Sequence, residues 1–236
     1  VLCEREPGRR DRPGETLHPG VEPLLAQLGV GAGLAAVTGV RHPGIWIEWG
    51  GPRRFEAFGE DADNPWHGFQ VWRADFDALL IGRARALGVM VRAGCGALAP
   101  IVAGDRVAGV RSADGEIRAR LVVDASGTGR WLGRALGIAS PPRSPRLVAR
   151  YGYVAGDCPA RDEAPLLAGD AAGWTWSARV KPRLYQWTRV VFGETGAGAP
   201  PPDELAGLAP VGPVRGADVT WRMAERTAGP GWFMVG

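Results

Sequence analysis

The spacing of apolar positions changes several times along the chain, and each change predicts an element. Val1 to Cys3 reads as the end of a buried strand that stops at the carboxylate of Glu4, and Arg9 to Pro13 as a charged loop. From Pro19 to Val30, Val21, Leu24, Leu25 and Leu28 fall at helical steps, with Pro near the start and Gly29 at the C-cap. The following Gly31-Ala32-Gly33-Leu34-Ala35-Ala36 matches GxGxxA by letter, but it follows a helix where the dinucleotide fingerprint follows a strand, so it reads as a helix-terminating loop. Ile45 to Trp49 alternates and the alternation resumes at Arg54 to Phe58 after Gly50-Gly51-Pro52, a hairpin pattern. Arg73 to Leu87 returns to helical spacing through Phe76, Leu79, Leu80, Ala84 and Leu87, then stops at Gly88 before the strand Val89 to Val91.

Ala97 to Val102, Arg106 to Arg111 and Glu116 to Val123, separated by the turn dipeptides Gly104-Asp105 and Asp114-Gly115, predict a three-strand meander. Its third strand runs into Asp124-Ala125-Ser126-Gly127-Thr128-Gly129, a small-residue turn before a short helix, which suits a phosphate-bearing ligand. Strands follow at Leu147 to Val154, Gly173 to Val180, Leu184 to Phe192 and Val211 to Trp221. Gly169-Asp170-Ala171-Ala172-Gly173 runs directly into the second of these and reads as a turn before a strand. The chain thus alternates between βα pieces at 1–42 and 71–137 and all-strand pieces at 43–70 and 138–230, with a final buried-strand composition at 231–236. This pattern predicts an α/β domain interleaved in sequence with an antiparallel sheet domain.

Composition narrows the classes. With 236 residues, 45% apolar, and no apolar run approaching the ~18 to 20 residues of a membrane helix, a globular protein without a membrane span is expected. The formal charge of +3 is spread along the chain and gives no nucleic-acid footprint. Cys3, Cys95 and Cys158 are odd in number and lack CxxC spacing, which supports neither a disulfide framework nor a zinc site and points to a reducing, cytoplasmic setting. No signal-peptide pattern is present, and the lack of an initiator methionine together with the stop inside Trp232-Phe233-Met234-Val235-Gly236 makes both ends read as cut. His18, His42 and His67 share no carboxylate spacing and read as turn or surface residues, so no catalytic residue is assigned.

Glu4-Arg5, the loop Arg12-Pro13-Gly14-Glu15-Thr16-Leu17, the helix opening Trp72-Arg73-Ala74-Asp75-Phe76-Asp77, and Asp124-Ala125-Ser126-Gly127 occur in an order that resembles the FAD-dependent monooxygenase superfamily. Gly14-Glu15-Thr16 and Asp124 to Gly127 are most similar to its flavin-dependent halogenase-like branch. The resemblance implies an FAD-binding Rossmann-like domain interleaved with an antiparallel substrate-binding sheet, FAD as cofactor, and a family glycine-rich βαβ start lying before Val1. It also implies roles. Glu4 would hold the adenosine ribose and Arg5 would lie along the adenine edge. Arg12 would face the pyrophosphate, or be a solvated loop arginine. Gly14, Glu15 and Thr16 would form the loop near the flavin, or a simple turn before a helix. Arg73 would approach the cofactor's phosphate or ribityl chain, or merely pair with Asp77 one helical turn on. Leu98 would read the adenine through its backbone, or be an ordinary strand residue. Asp124, Ala125 and Gly127 would close the cofactor pocket, or form a plain tight turn.

On the substrate side, Trp174-Thr175-Trp176 matches the first half of the WxWxIP motif of flavin-dependent tryptophan halogenases, and alternation puts both indoles on one strand face, as a pocket wall or as core. The Ile-Pro half is absent. Such halogenases also depend on a lysine that makes flavin-derived hypohalous acid usable; Ile45 to Trp49 has none, and Lys181, the only lysine, is read in a turn. The expected activity is therefore an FAD-dependent oxidoreductase, a monooxygenase on an aromatic or apolar small molecule, with NAD(P)H or a separate flavin reductase as electron source. Halogenation, dehydrogenation or reduction, and a non-catalytic fragment are the alternatives.

Overall fold

The structure, a computed structural model, describes residues 1–8, 12–13, 15–61, 64–193 and 200–235. They form two compact units: Val1–Gly8, Ala84–Ser144 and Trp221–Gly236 make the first, Arg9–Arg83 and Pro145–Thr220 the second. Residues 9–42 and 71–83, read with the α/β pieces, fall in the second unit, and 138–144 and 221–230, read with the all-strand piece, fall in the first. The cause is packing. Leu25, Leu34 and Phe76, from three helices, bury against Phe69 and Val71 of the strand Gly68–Val71, so the helices share a core with the second unit's strands.

In the first unit, Leu2–Glu4 pairs in parallel with Val91–Ala93. The expected burial of this strand is not found: Val1 is 65% and Leu2 37% exposed, since among the described residues the strand has one neighbour only. The strand after the Arg73–Ala86 helix starts at Val91, not Val89, because the Val89 amide still donates to the Ala84 carbonyl and Gly88 closes the helix at φ +83°. Ala97–Ala103, Arg106–Ser112 and Gly115–Arg118 form the antiparallel meander. The expected third strand, Glu116 to Val123, is two strands. Its second part, Val122–Asp124, leaves the meander and pairs in parallel with Trp232–Met234. Gly231, at φ +77°, permits this crossing, since a Cβ there would overlap the Val107 carbonyl. Val107, Val122, Leu132 and Trp232 form the buried centre of this unit.

The second unit holds a seven-stranded sheet among the described residues, in the order Ala209–Asp218, Leu147–Ala155, Leu184–Phe192, Gly173–Lys181, Leu166–Asp170, Gly44–Glu48, Arg54–Ala57. All neighbours are antiparallel except Leu166–Asp170 with Gly44–Glu48. Leu166–Asp170 has no counterpart in the sequence reading; its five residues precede a turn in which Asp170 Oδ1 accepts the Ala172 amide, so the Gly-Asp segment is a hairpin turn before a strand. A smaller sheet, Thr16–Leu17, Gly68–Val71 and Thr38–His42, carries the helices Val21–Gln27, Gly31–Val37 and Arg73–Ala86. The expected loop over Gly31 to Ala36 is thus a helix. Its Ala and Leu content favours helix, Leu34 anchors it at 2% exposure, and Gly33 leaves room for Leu79, whose methyl a Cβ would meet at 2.7 Å.

Candidate functional site

In the first unit the sequence-assigned residues sit at a strand end, a bulge and a turn. Glu4 ends a parallel strand; one carboxylate oxygen accepts the Glu6 amide at 2.9 Å and the side chain stays exposed. The Arg5 stem lies over Gly96, where a Cβ would come within 3.4 Å of it. Leu98 is skipped by the meander register, which passes from Ala97–Ser112 to Ala99–Arg111, and its side chain is 64% exposed. Such a bulge frees a residue's backbone from the ladder. Asp124 is buried and both its oxygens are used: Oδ1 accepts the Ser126 amide and Oδ2 the Leu132 amide, each at 2.8 Å. It therefore shapes the turn. Beyond it Gly127 stands at φ +59°, and a Cβ there would meet nothing within 4 Å, so the backbone of this turn is open on that side. Ala125 is exposed in the same turn.

In the second unit the loop before Thr16–Leu17 converges with the start of the Arg73–Ala86 helix. Gly14 lies outside the described residues. Trp72 caps the helix, its carbonyl accepting the amides of Asp75 and Phe76. Arg73 grips Asp77 from one turn away, with Nε at 3.2 Å from Oδ1, and Arg12 reaches the same carboxylate at 2.8 Å. The local Arg73–Asp77 pair thus exists, and Arg12 joins it from a distant loop, a contact with no local signal.

Glu15 is 3% exposed and accepts the Tyr153 hydroxyl, while its own carbonyl accepts the Val71 amide. Tyr153 stands on the long sheet, with the Trp72 ring tilted against it at 5.6 Å. Thr16 starts a buried polar chain: its hydroxyl donates to Gln70 Oε1, Gln70 Nε2 lies 3.2 Å from His42 Nε2, and His42 Nδ1 lies 2.9 Å from the Gly44 carbonyl. A carbonyl only accepts, so Nδ1 carries the proton and Nε2 accepts from Gln70, which makes the ring neutral. Burial pushes the His42 pKa below 6.5, the backbone bond to Gly44 opposing it. The expected surface position of His42 is corrected: at 1% exposure it is a core residue, placed there because its two partners satisfy both ring nitrogens. His18 does sit in a turn, accepting the Gly20 amide.

Pairing register assigns Trp174 and Trp176 to one face of the long sheet, opposite Val190 and Thr188 on the neighbouring strand. Both are half-buried, and Trp174 packs on the cluster Leu147, Ala149 and Val190, so it serves the core and lines the face at once. The sequence reading missed Trp49. Its ring occupies the space a Cβ would take on Gly169, the residue paired with Trp174, so Trp49 extends the aromatic row; the alternation Ile45, Ile47, Trp49 was the available signal. Lys181 ends the strand that carries both indoles, and its Nζ stands 4.2 Å above the Trp72 ring, a cation–π contact. Among the described residues no group of His, Cys, Asp and Glu could hold a metal ion, and no helix is long and apolar enough to cross a membrane.

Residues 52–192, more than half of the chain, match the family described as tryptophan halogenase. The myxobacterial chondrochloren halogenase CndH, a variant of FAD-dependent halogenases, is similar at 26% identity and TM-score 0.86 over 100% of this chain and 61% of that one. The flavin-dependent halogenase CmlS is similar at 25% identity and TM-score 0.83, over 99% of this chain and 48% of that one. The flavin-dependent brominase Bmp2 shares the fold at 20% identity and TM-score 0.82, over 99% of this chain and 64% of that one. The chain therefore spans less than two thirds of each of these proteins. Comparison with curated protein sequences returns no match. The chain belongs to the tryptophan halogenase family, within the FAD-dependent oxidoreductases.

Proposed function

We propose that the protein is an oxygen-using FAD-dependent oxidoreductase that modifies an aromatic or other apolar small molecule. One observation carries the fit to FAD: Arg12 and Arg73, from separate segments, meet on the single carboxylate of Asp77. Two guanidinium groups on one carboxylate leave a positive charge there, which suits a pyrophosphate. In this reading the long sheet of the second unit carries the substrate side.

Bound FAD would supply electron transfer to oxygen. The chain's own residues would do the rest. Glu4 would accept from the ribose hydroxyls, the bulged backbone at Leu98 would meet the adenine edge beside Arg5, and Arg12 and Arg73 would hold phosphate oxygens. Asp124 would hold the turn in which Ala125 and Gly127 present open backbone. Glu15, held by Tyr153, would fix the chain at Thr16. Trp49, Trp174 and Trp176 would orient a flat apolar substrate and exclude water from it. Electrons would come from NAD(P)H or from a separate flavin reductase.

The family match favours a second reading, halogenation, in which Lys181 is the one side-chain amine the chain could offer. The test is made on the whole protein that contains this chain. It should purify yellow with FAD bound, consume oxygen when reduced, and convert an aromatic substrate. Products carrying labelled oxygen support hydroxylation, and products that appear only with added halide support halogenation. A colourless protein that takes up no FAD ends both.

A further inference from the structure

Cys3 is the middle residue of the strand Leu2–Glu4, and Cys95 follows the paired strand Val91–Ala93 by one glycine. Gly94, at φ +75°, turns the chain so that the Cys95 amide donates to the Glu4 carbonyl at 3.0 Å. That turn brings the two thiols together, with Sγ 4.0 Å from Sγ, although 92 positions separate them in sequence. Both are free. Cysteine number and spacing supported no disulfide framework, and they carry no signal of this contact. We propose that Cys3 and Cys95 are a site of oxidative modification, closing to an intramolecular disulfide that clamps the carboxyl end of the first strand.

The distances permit it. A disulfide holds its sulfurs at about 2.05 Å, so closure needs roughly 2 Å of approach, within reach of side-chain rotation when the backbone segments are already hydrogen-bonded neighbours. Access is divided in the way such chemistry needs: Cys3 is half-buried and reachable by a small oxidant, while Cys95 is 3% exposed and adjoins it as the resolving thiol. With hydrogen peroxide as oxidant, the Cys3 thiolate attacks one peroxide oxygen, the O–O bond breaks, and hydroxide leaves as Cys3 becomes a sulfenic acid. The Cys95 thiolate then attacks that sulfur, the S–S bond forms, and a second hydroxide leaves. Two thiols and one peroxide give one disulfide and two waters. Burial and the neighbouring thiol push the Cys3 pKa above 9.0, so the reaction is slow at neutral pH and quickens as pH rises.

Cys158 belongs to the second unit and is buried, its thiol directed at the Glu204 carbonyl at 3.6 Å. It has no sulfur neighbour among the described residues, so the modification is selective. The clamp would fix the turn that carries Glu4 and Arg5 against Gly96.

The test uses the 236-residue chain, purified in reductant, desalted, and treated with hydrogen peroxide at neutral and mildly alkaline pH. Free thiols counted with a maleimide should fall from three to one, the intact mass should drop by two hydrogens, and a non-reducing peptide map should join the Cys3 and Cys95 peptides. Thiol reductant should restore all three, and the rate should rise with pH. Cys3→Ser, at a half-buried position, should form no internal link and keep Cys158 free; Cys95→Ser should do the same, with circular dichroism reporting its fold. Three surviving thiols, a Cys3 sulfinic acid beside a free Cys95, or a link through Cys158 would each overturn the proposal.

Discussion

Arg12 and Arg73 donate to one carboxylate, that of Asp77, from a loop and from the first turn of a helix. The cluster is partly exposed, with Arg12 at 47% and Asp77 at 26%, so its ion pairs contribute about 0 to 1 kcal/mol to stability. Its value as a cofactor site is separable from that. In the whole protein, Arg73→Gln should weaken FAD binding roughly ten- to a hundredfold, the worth of a charge-assisted hydrogen bond, while the melting temperature moves by only about 2–4 °C. Asp77→Asn, which removes the competing carboxylate, should not weaken it. Flavin fluorescence titration alongside calorimetry separates the two effects, and an unchanged FAD affinity in Arg73→Gln would remove the pyrophosphate role.

Tyr153 and Glu15 tie the long sheet to the loop before Thr16–Leu17. Glu15 is buried, so Tyr153→Phe removes a donor from a carboxylate that water reaches poorly. The expected cost is about 1–3 kcal/mol. In a Glu15→Gln background the same substitution should cost less, because the uncharged amide needs the donor less. Urea unfolding of the four proteins in the double-mutant cycle measures this, and equal penalties in both backgrounds would show that the pair is not coupled.

His42 gives a pH dependence whose sign follows from its neutral, hydrogen-bonded state. Its folded pKa lies below 6.5 through burial, so under acid conditions the unfolded chain binds a proton that the folded chain resists. Stability is whole above about pH 6.5 and falls as pH drops from there through the folded value. Glu22, held below 4.5 by Arg41, and Asp170, held below 3.8 by Arg189, lose their contributions only at lower pH and do not mask this window. The urea midpoint should decline as pH falls below about 6.5, and His42→Gln should flatten that decline. An equally steep decline in the variant would assign the effect elsewhere.

Elements with a long, single period were legible in the sequence: the helix beginning at Arg73, the hairpin through Ile45 and Phe55, and the strands around Tyr151, Trp176 and Trp187 all carry local signals. What failed was set by distant partners. Whether Val122 continues the meander or pairs with Trp232 depends on a strand far along the chain, and Gly31 to Ala36 became a helix because Leu34 found a core to enter. The same holds for the candidate site. Arg73 with Asp77 could be read from their spacing, but Arg12 joining them, Tyr153 meeting Glu15, and Trp49 settling on Gly169 are contacts between segments for which one sequence offers no pairing signal.

Lys181 is the only lysine, and its ammonium rests on the Trp72 indole at 4.2 Å. That contact is worth about 0.5–1 kcal/mol at a partly exposed position. Lys181→Met keeps the stem's packing and removes the charge, so it should lower the melting temperature by no more than about 4 °C. Its effect on chemistry discriminates between the two functional readings. If the whole protein hydroxylates its substrate, Lys181→Met should bind FAD and form oxygenated product at close to the parent rate. If it halogenates through a side-chain amine of this segment, the variant should still bind FAD and consume oxygen, yet yield no halogenated product. Product analysis by mass spectrometry with halide present, read against oxygen uptake in the same reaction, gives the answer; halogenation undiminished in the variant would place the amine outside these 236 residues.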